Sequence, residues 1–199
     1  MPAFVVIAHG SAGAGIASRL SAGDRARLSA LGDGPAAARF LAGRAALLAA
    51  AAAAGEPDIR IEAACPECGR SHGRPEVTGA SVRLYLSLAH SDGAAFAVAS
   101  RVPVGIDVEA DRAPVERLAA IDELAPGRGP ALRRWTAVEA VLKADGRGLR
   151  VSPGEVRVGL RSARLHDSRY RLRTTRTDGR VITVAERASG HPESDGSAV

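Results

Sequence analysis

An α+β fold made of two similar halves is what this sequence predicts, and three features carry that expectation. Residues Val82–Leu88 alternate apolar and polar side chains, and Ala94–Ser100 returns after a turn at Ala89–Gly93, which together spell an antiparallel hairpin. Two helical stretches, at 35–54 and 131–144, fall one in each half of the 199 residues. Strand-like segments follow each of them, so a helix-and-sheet unit occurs twice, although no sequence repeat accompanies the pattern.

Taken in order, the apolar run Ala3–Ala8 is the first strand, and a Gly/Ser/Ala loop follows at Gly10–Gly15. Ser21–Gly34 is interrupted by glycines and is not expected to be one helix. The stretch from Pro35 to Ala54 has Pro35 in the first turn, Gly55 as its stop, and Phe40, Leu41, Leu47 and Leu48 on one side. Ile59–Ala64 is a short strand, and Cys65–Pro75 is a turn-rich loop. Val82, Leu84, Leu86 and Leu88 make the apolar face of the next strand, and Val102–Val108 follows the hairpin. Ala110–Gly129, rich in charge, Pro and Gly, is expected to link the halves. The helix Ala131–Ala144 has a buried stripe of Leu132, Trp135, Val138 and Leu142 and ends at Gly146. Strands near 155–160, 170–175 and 181–186 complete a second lobe. The expected boundaries are 1–101 and 102–187, with 188–199 a disordered tail.

Composition narrows the function classes. Alanine makes up much of the 46% apolar content, and there are only six aromatic residues, so the core rests on Leu, Val and Ile. The net charge of +5 and pI near 10.2 favour an anionic partner such as a phosphate-rich ligand or an acidic protein. The arginines are spread out and aromatic stacking partners are few, so nucleic acid is an unfavoured partner. Ala3–Ala8 lacks the basic flank of a secretory signal, and the longest uncharged stretch, Ala45–Gly55, is far short of the ~20 residues a membrane span needs. Two cysteines make no disulfide framework. A cytoplasmic, monomeric protein without a membrane partner is the expectation.

Chemistry concentrates in three places. On a strand, Asp107 and Glu109 of V-G-I-D-V-E project from one side, and adjacent carboxylates need a cation between them. Hard oxygen ligands suit Mg²⁺, which fills its remaining positions with water and phosphate oxygens. A strand end running into solvent is the plain alternative. On the second helix, Thr136, Glu139 and Lys143 share a face, and Lys143 is the only lysine among 27 basic residues. Glu139 and Lys143 also have the spacing of an ordinary surface ion pair. Third, S-L-A-H-S at 87–91 puts His90 in the hairpin turn, where it and Ser87 and Ser91 would reach a phosphate oxygen or merely face solvent.

The order S-L-A-H-S (87–91), G-I-D-V-E (105–109) and W-T-A-V-E-A-V-L-K (135–143) resembles the surfactin-type 4′-phosphopantetheinyl transferases, as do G-R-G-L at 146–149 and H-G-R-P at 72–75. The resemblance spans roughly residues 39–149. It implies a pseudo-twofold arrangement of two α+β lobes in one chain, the 4′-phosphopantetheinyl transferase fold, with coenzyme A between them as co-substrate. Asp107, Glu109 and Glu139 would surround Mg²⁺ on the diphosphate, Lys143 would neutralise charge there, and His90 would touch the same group. Arg74, Arg44 and Arg39 would meet the 3′-phosphate and adenine end. The implied reaction moves the phosphopantetheine arm to a serine hydroxyl of an apo acyl or peptidyl carrier protein, releasing 3′,5′-ADP. Glu139 or a metal-bound water would take the serine proton, so Glu139, Lys143 and Asp107 are the expected catalytic residues.

Departures and rivals stand beside this. Val138 occupies the place where the family usually has Lys or Arg, and no extra acidic residue of the linker is identified; Glu123 is a poor match. Cys65, Cys68 and His72 have the spacing of a partial zinc knuckle, so a zinc-binding, arginine-rich nucleic-acid module is the reading from another class. The N-terminal glycine loop lacks G-x-G-x-x-G and makes a poor dinucleotide site. A non-catalytic carrier-binding homologue is a third reading, disfavoured because all four site residues are present.

Overall fold

Small side chains set the spacing of this fold. The computed structural model describes residues 2–12, 14–65, 68–69 and 71–188. Among them four α-helices and three sheets form the mixed α+β architecture that the patterning predicts. The first half contains β1 (Ala3–Ala8), α1 (Ala22–Leu31), α2 (Pro35–Ala53), β2 (Arg60–Ala64), β3 (Ser71–Thr78), β4 (Tyr85–Ser91) and β5 (Ala94–Ser100). The second contains β6 (Val104–Ala110), α3 (Val115–Leu124), α4 (Ala131–Asp145), β7 (Arg157–Val158), β8 (Ser162–Leu165), β9 (Ser168–Thr177) and β10 (Arg180–Arg187).

The same order of connections occurs twice. A first strand and a main helix precede an antiparallel hairpin, and the hairpin's second strand lies between its first and the opening strand. This gives the sheet β1-β5-β4 in one half and the run β6-β10-β9, extended by β8 and β7, in the other. β2 and β3 form a separate pair. α2 packs over β5, β1 and β4, and α4 over β6 and β10. A third apolar cluster, with Ala89, Phe96 and Val98 on one side and Ile106, Val108 and Ile182 on the other, joins the halves where β4 runs alongside β6.

Local chemistry explains the elements. The β4–β5 turn is Asp92-Gly93, both at positive φ (44° and 73°), which matches the twist of a two-residue hairpin. Pro35 opens α2, and Gly55 follows it at φ 91°. Ala42, Ala46 and Ala50 are fully buried beside Leu47 and Leu48, whereas Phe40 and Leu41 are only half-buried. α2 is long and apolar enough to cross a membrane by composition, yet this face is covered by the first sheet.

Several expectations are corrected. Ser21–Gly34 does hold a helix, because Ser21 caps Asp24 N at 3.2 Å and Gly23 falls in the first turn. Residues 71–75 belong to strand β3 rather than a loop; Gly73 lies so close under Ala64 O that a Cβ there would touch backbone. The supposed linker contains α3, stabilised by burying Ile121 against Leu132 and Val181, and β8 was not anticipated. β4 starts at Tyr85 and runs through Ser91, so His90 is on the strand, paired with Ala95, and not in the turn. The tail from 189 onward lies outside the described residues.

The closest approach is between β6 and α4. A Cβ on Gly105 would collide with Ala140 O and stand 2.6 Å from Ala144 N, so strand and helix meet backbone to backbone. Gly105→Ala is expected to cost roughly 3 kcal/mol by forcing the two apart. Chemical denaturation checks this; an unchanged midpoint would show that the approach is not tight.

Candidate functional site

The close β6–α4 contact brings side chains from both elements to the seam between the halves. Asp107 and Glu109 project from β6, and Glu139 and Lys143 from α4. Lys143 Nζ donates to Asp107 Oδ1 at 2.7 Å and to Ile106 O at 3.0 Å, so the lysine is fixed by backbone as well as charge. Asp107 is buried, and its Oδ2 has no hydrogen-bond partner. An unpartnered buried carboxylate oxygen is costly. Beneath them, Thr136 and Thr183 share a 2.8 Å hydrogen bond that satisfies two buried hydroxyls at the helix–sheet contact.

The three carboxylates feel one another. Burial raises Glu139 above its ordinary 4.5, and the charges of Asp107 and Glu109 raise it further against the pull of Lys143. Burial likewise raises Glu109; Arg117 opposes this and Asp107 adds to it. Glu109 is held by Arg117 Nη2 at 2.5 Å and by the Trp135 side chain. Among the described residues no three His, Cys, Asp or Glu side chains stand gathered at ligating distance. Lys143 occupies Asp107, and Arg117 occupies Glu109. Carboxylate oxygens are the chemistry a hard cation takes, and Asp107 Oδ2 is one without a partner; the three acids sit on adjoining elements and would have to draw together to share an ion.

Beside these acids is a cavity of about 360 Å³, lined in part by Arg27, Arg44, Arg74, Leu88, Lys143 and Gly146. Arg74 lies over Gly146, the left-handed residue that ends α4, and its buried Nη2 has no partner. That is an anion-seeking group. Arg44 is buried and paired through Nε and Nη2 to Asp24 at 2.5 and 2.8 Å, so most of its charge is met within the protein. Phe40 lies between Arg44 and Arg27, at 4.9 and 5.3 Å from ring centre to guanidinium. Arg39 is exposed on α2, near enough to His90 to help depress its pKa.

His90 is pushed down to about 4, by burial first and then by Arg39, His9 and Lys143. It is therefore neutral at pH 7. Its Nδ1 faces His9 Nε2 at 3.1 Å, and its Nε2 lies beside Gly43, where a Cβ would come within 3.2 Å. Ser87 Oγ accepts the Ile106 amide at 3.1 Å and stitches β4 to β6, and Ser87 also lines the cavity. Ser91 donates to Asp92 instead.

Asp107, Glu109, Glu139, Lys143 and Arg74 thus come to one seam, with Arg44 at the cavity wall and His90 and Arg39 nearby. His9, Arg27, Trp135 and Arg117 were missed as site residues; only Trp135, one turn before Glu139, carried a sequence signal. Cys65 is buried, Cys68 is exposed and no disulfide joins them; the side chain of His72 lies outside the described residues.

Ionising a carboxyl whose folded-state pKa is raised favours unfolding. What Glu109 and Glu139 contribute is full below 4.5 and is lost as pH rises through their higher folded values. At pH 7.5 without divalent ions, Glu139→Gln should therefore raise the melting temperature, whereas Mg²⁺ should raise that of the native protein and not that of the variant. Scanning calorimetry in chelator and in Mg²⁺ reads both. A Glu139→Gln variant destabilised in chelator would mean that the acids are not in conflict. No family model matches the chain, and no curated protein matches it.

Proposed function

We propose that this protein is a Mg²⁺-dependent phosphopantetheinyl transferase with two pseudo-twofold-related lobes. It carries the phosphopantetheine arm of coenzyme A to a serine hydroxyl of an apo acyl or peptidyl carrier protein. The observation that carries the reading is the seam itself: Asp107 with an unpartnered buried oxygen, two glutamates with raised pKa, and Lys143. They adjoin a cavity whose Arg74 has an unpartnered guanidinium nitrogen. Such a pairing suits a diphosphate that brings its own cation. The repeated strand order supports two related lobes, and the seam between them is where such a ligand would lie.

Asp107, Glu109 and Glu139 would hold the ion, which supplies charge neutralisation on the diphosphate. Lys143, anchored by Ile106 O, is poised to take a phosphate oxygen in exchange for Asp107. Arg74 is the cation for the phosphate-rich far end, and Arg27 and Arg44 flank Phe40 at the same cavity. His90, neutral, offers one N–H; if His9 donates to its Nδ1, that proton is on Nε2. In the transfer, the serine oxygen bonds to the phosphorus that bears pantetheine, the bond to the other phosphate breaks, and 3′,5′-ADP takes the electron pair. Glu139 would accept the serine proton through the carboxylate oxygen that it does not give to the ion. Lys143, once it has exchanged Asp107 for a phosphate oxygen, would stabilise the negative charge that grows there.

Incubation with coenzyme A, Mg²⁺ and several apo carrier proteins, followed by intact-mass spectrometry, tests this. A phosphopantetheine adduct is expected, and Asp107→Ala should lower its rate by roughly 10²–10³-fold with the fold retained by circular dichroism. No adduct on any carrier, or a fully active Asp107→Ala, would remove the proposal.

A further inference from the structure

Between Arg157 and Arg176 the chain has seven arginines and one acidic residue, Asp167, and the fold gathers most of that charge on one surface. Along β9, Tyr170 and Leu172 point into the core under α4, while Arg169, Arg171 and Arg173 are exposed on the opposite face. Strand register adds to the row: Arg157, Arg164 and Arg169 stand directly opposite one another across β7, β8 and β9, all exposed. Like charges in such pairs repel, so the free protein loses stability by this arrangement.

Beside the row is a groove of about 500 Å³, where Arg133, Arg161, Arg171 and Arg173 surround Leu160. Arg133 donates to the carbonyls of Gly159 and Leu160 and fixes that loop, leaving the Leu160 side chain 78% exposed. Among the described residues, Arg173 has Glu186 at 3.9 Å, whereas no carboxylate pairs with Arg161 or Arg171.

We infer that this face docks an acidic protein segment that presents carboxylates on either side of an apolar side chain. Guanidinium groups bind carboxylates through two parallel hydrogen bonds, and among the described residues Arg161 and Arg171 have no carboxylate partner within the protein. Leu160 supplies an apolar anchor among them, which a phosphate backbone would not use. The sheet face also lacks an exposed aromatic ring for base stacking, since Tyr170 is buried. The surface is built from β7, β8, β9, the loop between β7 and β8, and Arg133 at the start of α4, and it uses none of the acids of the seam, so its docking role does not depend on the reaction proposed above.

Fluorescence anisotropy of the full chain at physiological ionic strength tests it, with two labelled probes: a synthetic amphipathic helix carrying Glu around Leu, and a short single-stranded DNA. The peptide should bind, and the Arg161→Glu/Arg171→Glu variant and the Leu160→Asp variant should each weaken it by roughly tenfold. Arg164→Glu, which breaks the like-charge row, should raise the melting temperature. Peptide affinity unchanged in these variants, or DNA bound more tightly through the same arginines, would overturn the inference.

Discussion

The contact between Gly105 of β6 and the Ala140–Ala144 turn of α4 governs where every charged group of the seam sits. Backbone touches backbone there, with no room for a Cβ. At that separation the side chains two and four residues beyond Gly105 share space with those at the next turn of the helix. Lys143 can then reach both Ile106 O and Asp107, and Glu139 falls within the field of Asp107 and Glu109. The buried Thr136–Thr183 hydrogen bond and the Ser87–Ile106 link hold the adjoining strands to the same geometry.

That geometry is electrostatically unfavourable without a ligand. A buried aspartate oxygen lacks a partner, two glutamates resist ionisation, and an arginine nitrogen at the cavity wall is unpartnered. Each costs stability, and a fold optimised for stability alone would place apolar groups there. Opposite charges on separate elements, the acids of β6 and α4 and Arg74 of β3, would both be satisfied by a cation and a polyphosphate arriving together. The ion pairs of Lys143 with Asp107 and Arg117 with Glu109 lower that cost.

The fold class was legible because alternation and helix punctuation are local: β1 and β5 match their expected limits, and α2 and α4 do so within a residue. What failed was decided by tertiary contact. α3 reads as a charged linker, yet burying Ile121 makes it helical; β3 reads as a loop, yet pairing with β2 makes it a strand. Among the site residues, the β6 and α4 groups were legible because strand and helix periodicities place them on defined faces. The status of Arg44 was not, since its partner Asp24 is twenty residues away on another helix. His9 likewise met His90 only through the pairing of β1 with β5.

The acids and cations of this seam are proposed to form one site for a metal and a diphosphate together. Isothermal titration of coenzyme A into the protein, in Mg²⁺ and in chelator, measures that coupling directly. Affinity at least tenfold higher in Mg²⁺, with the difference lost in Asp107→Asn, is the predicted result. Coenzyme A binding that is absent, or equal with and without the metal, would contradict it.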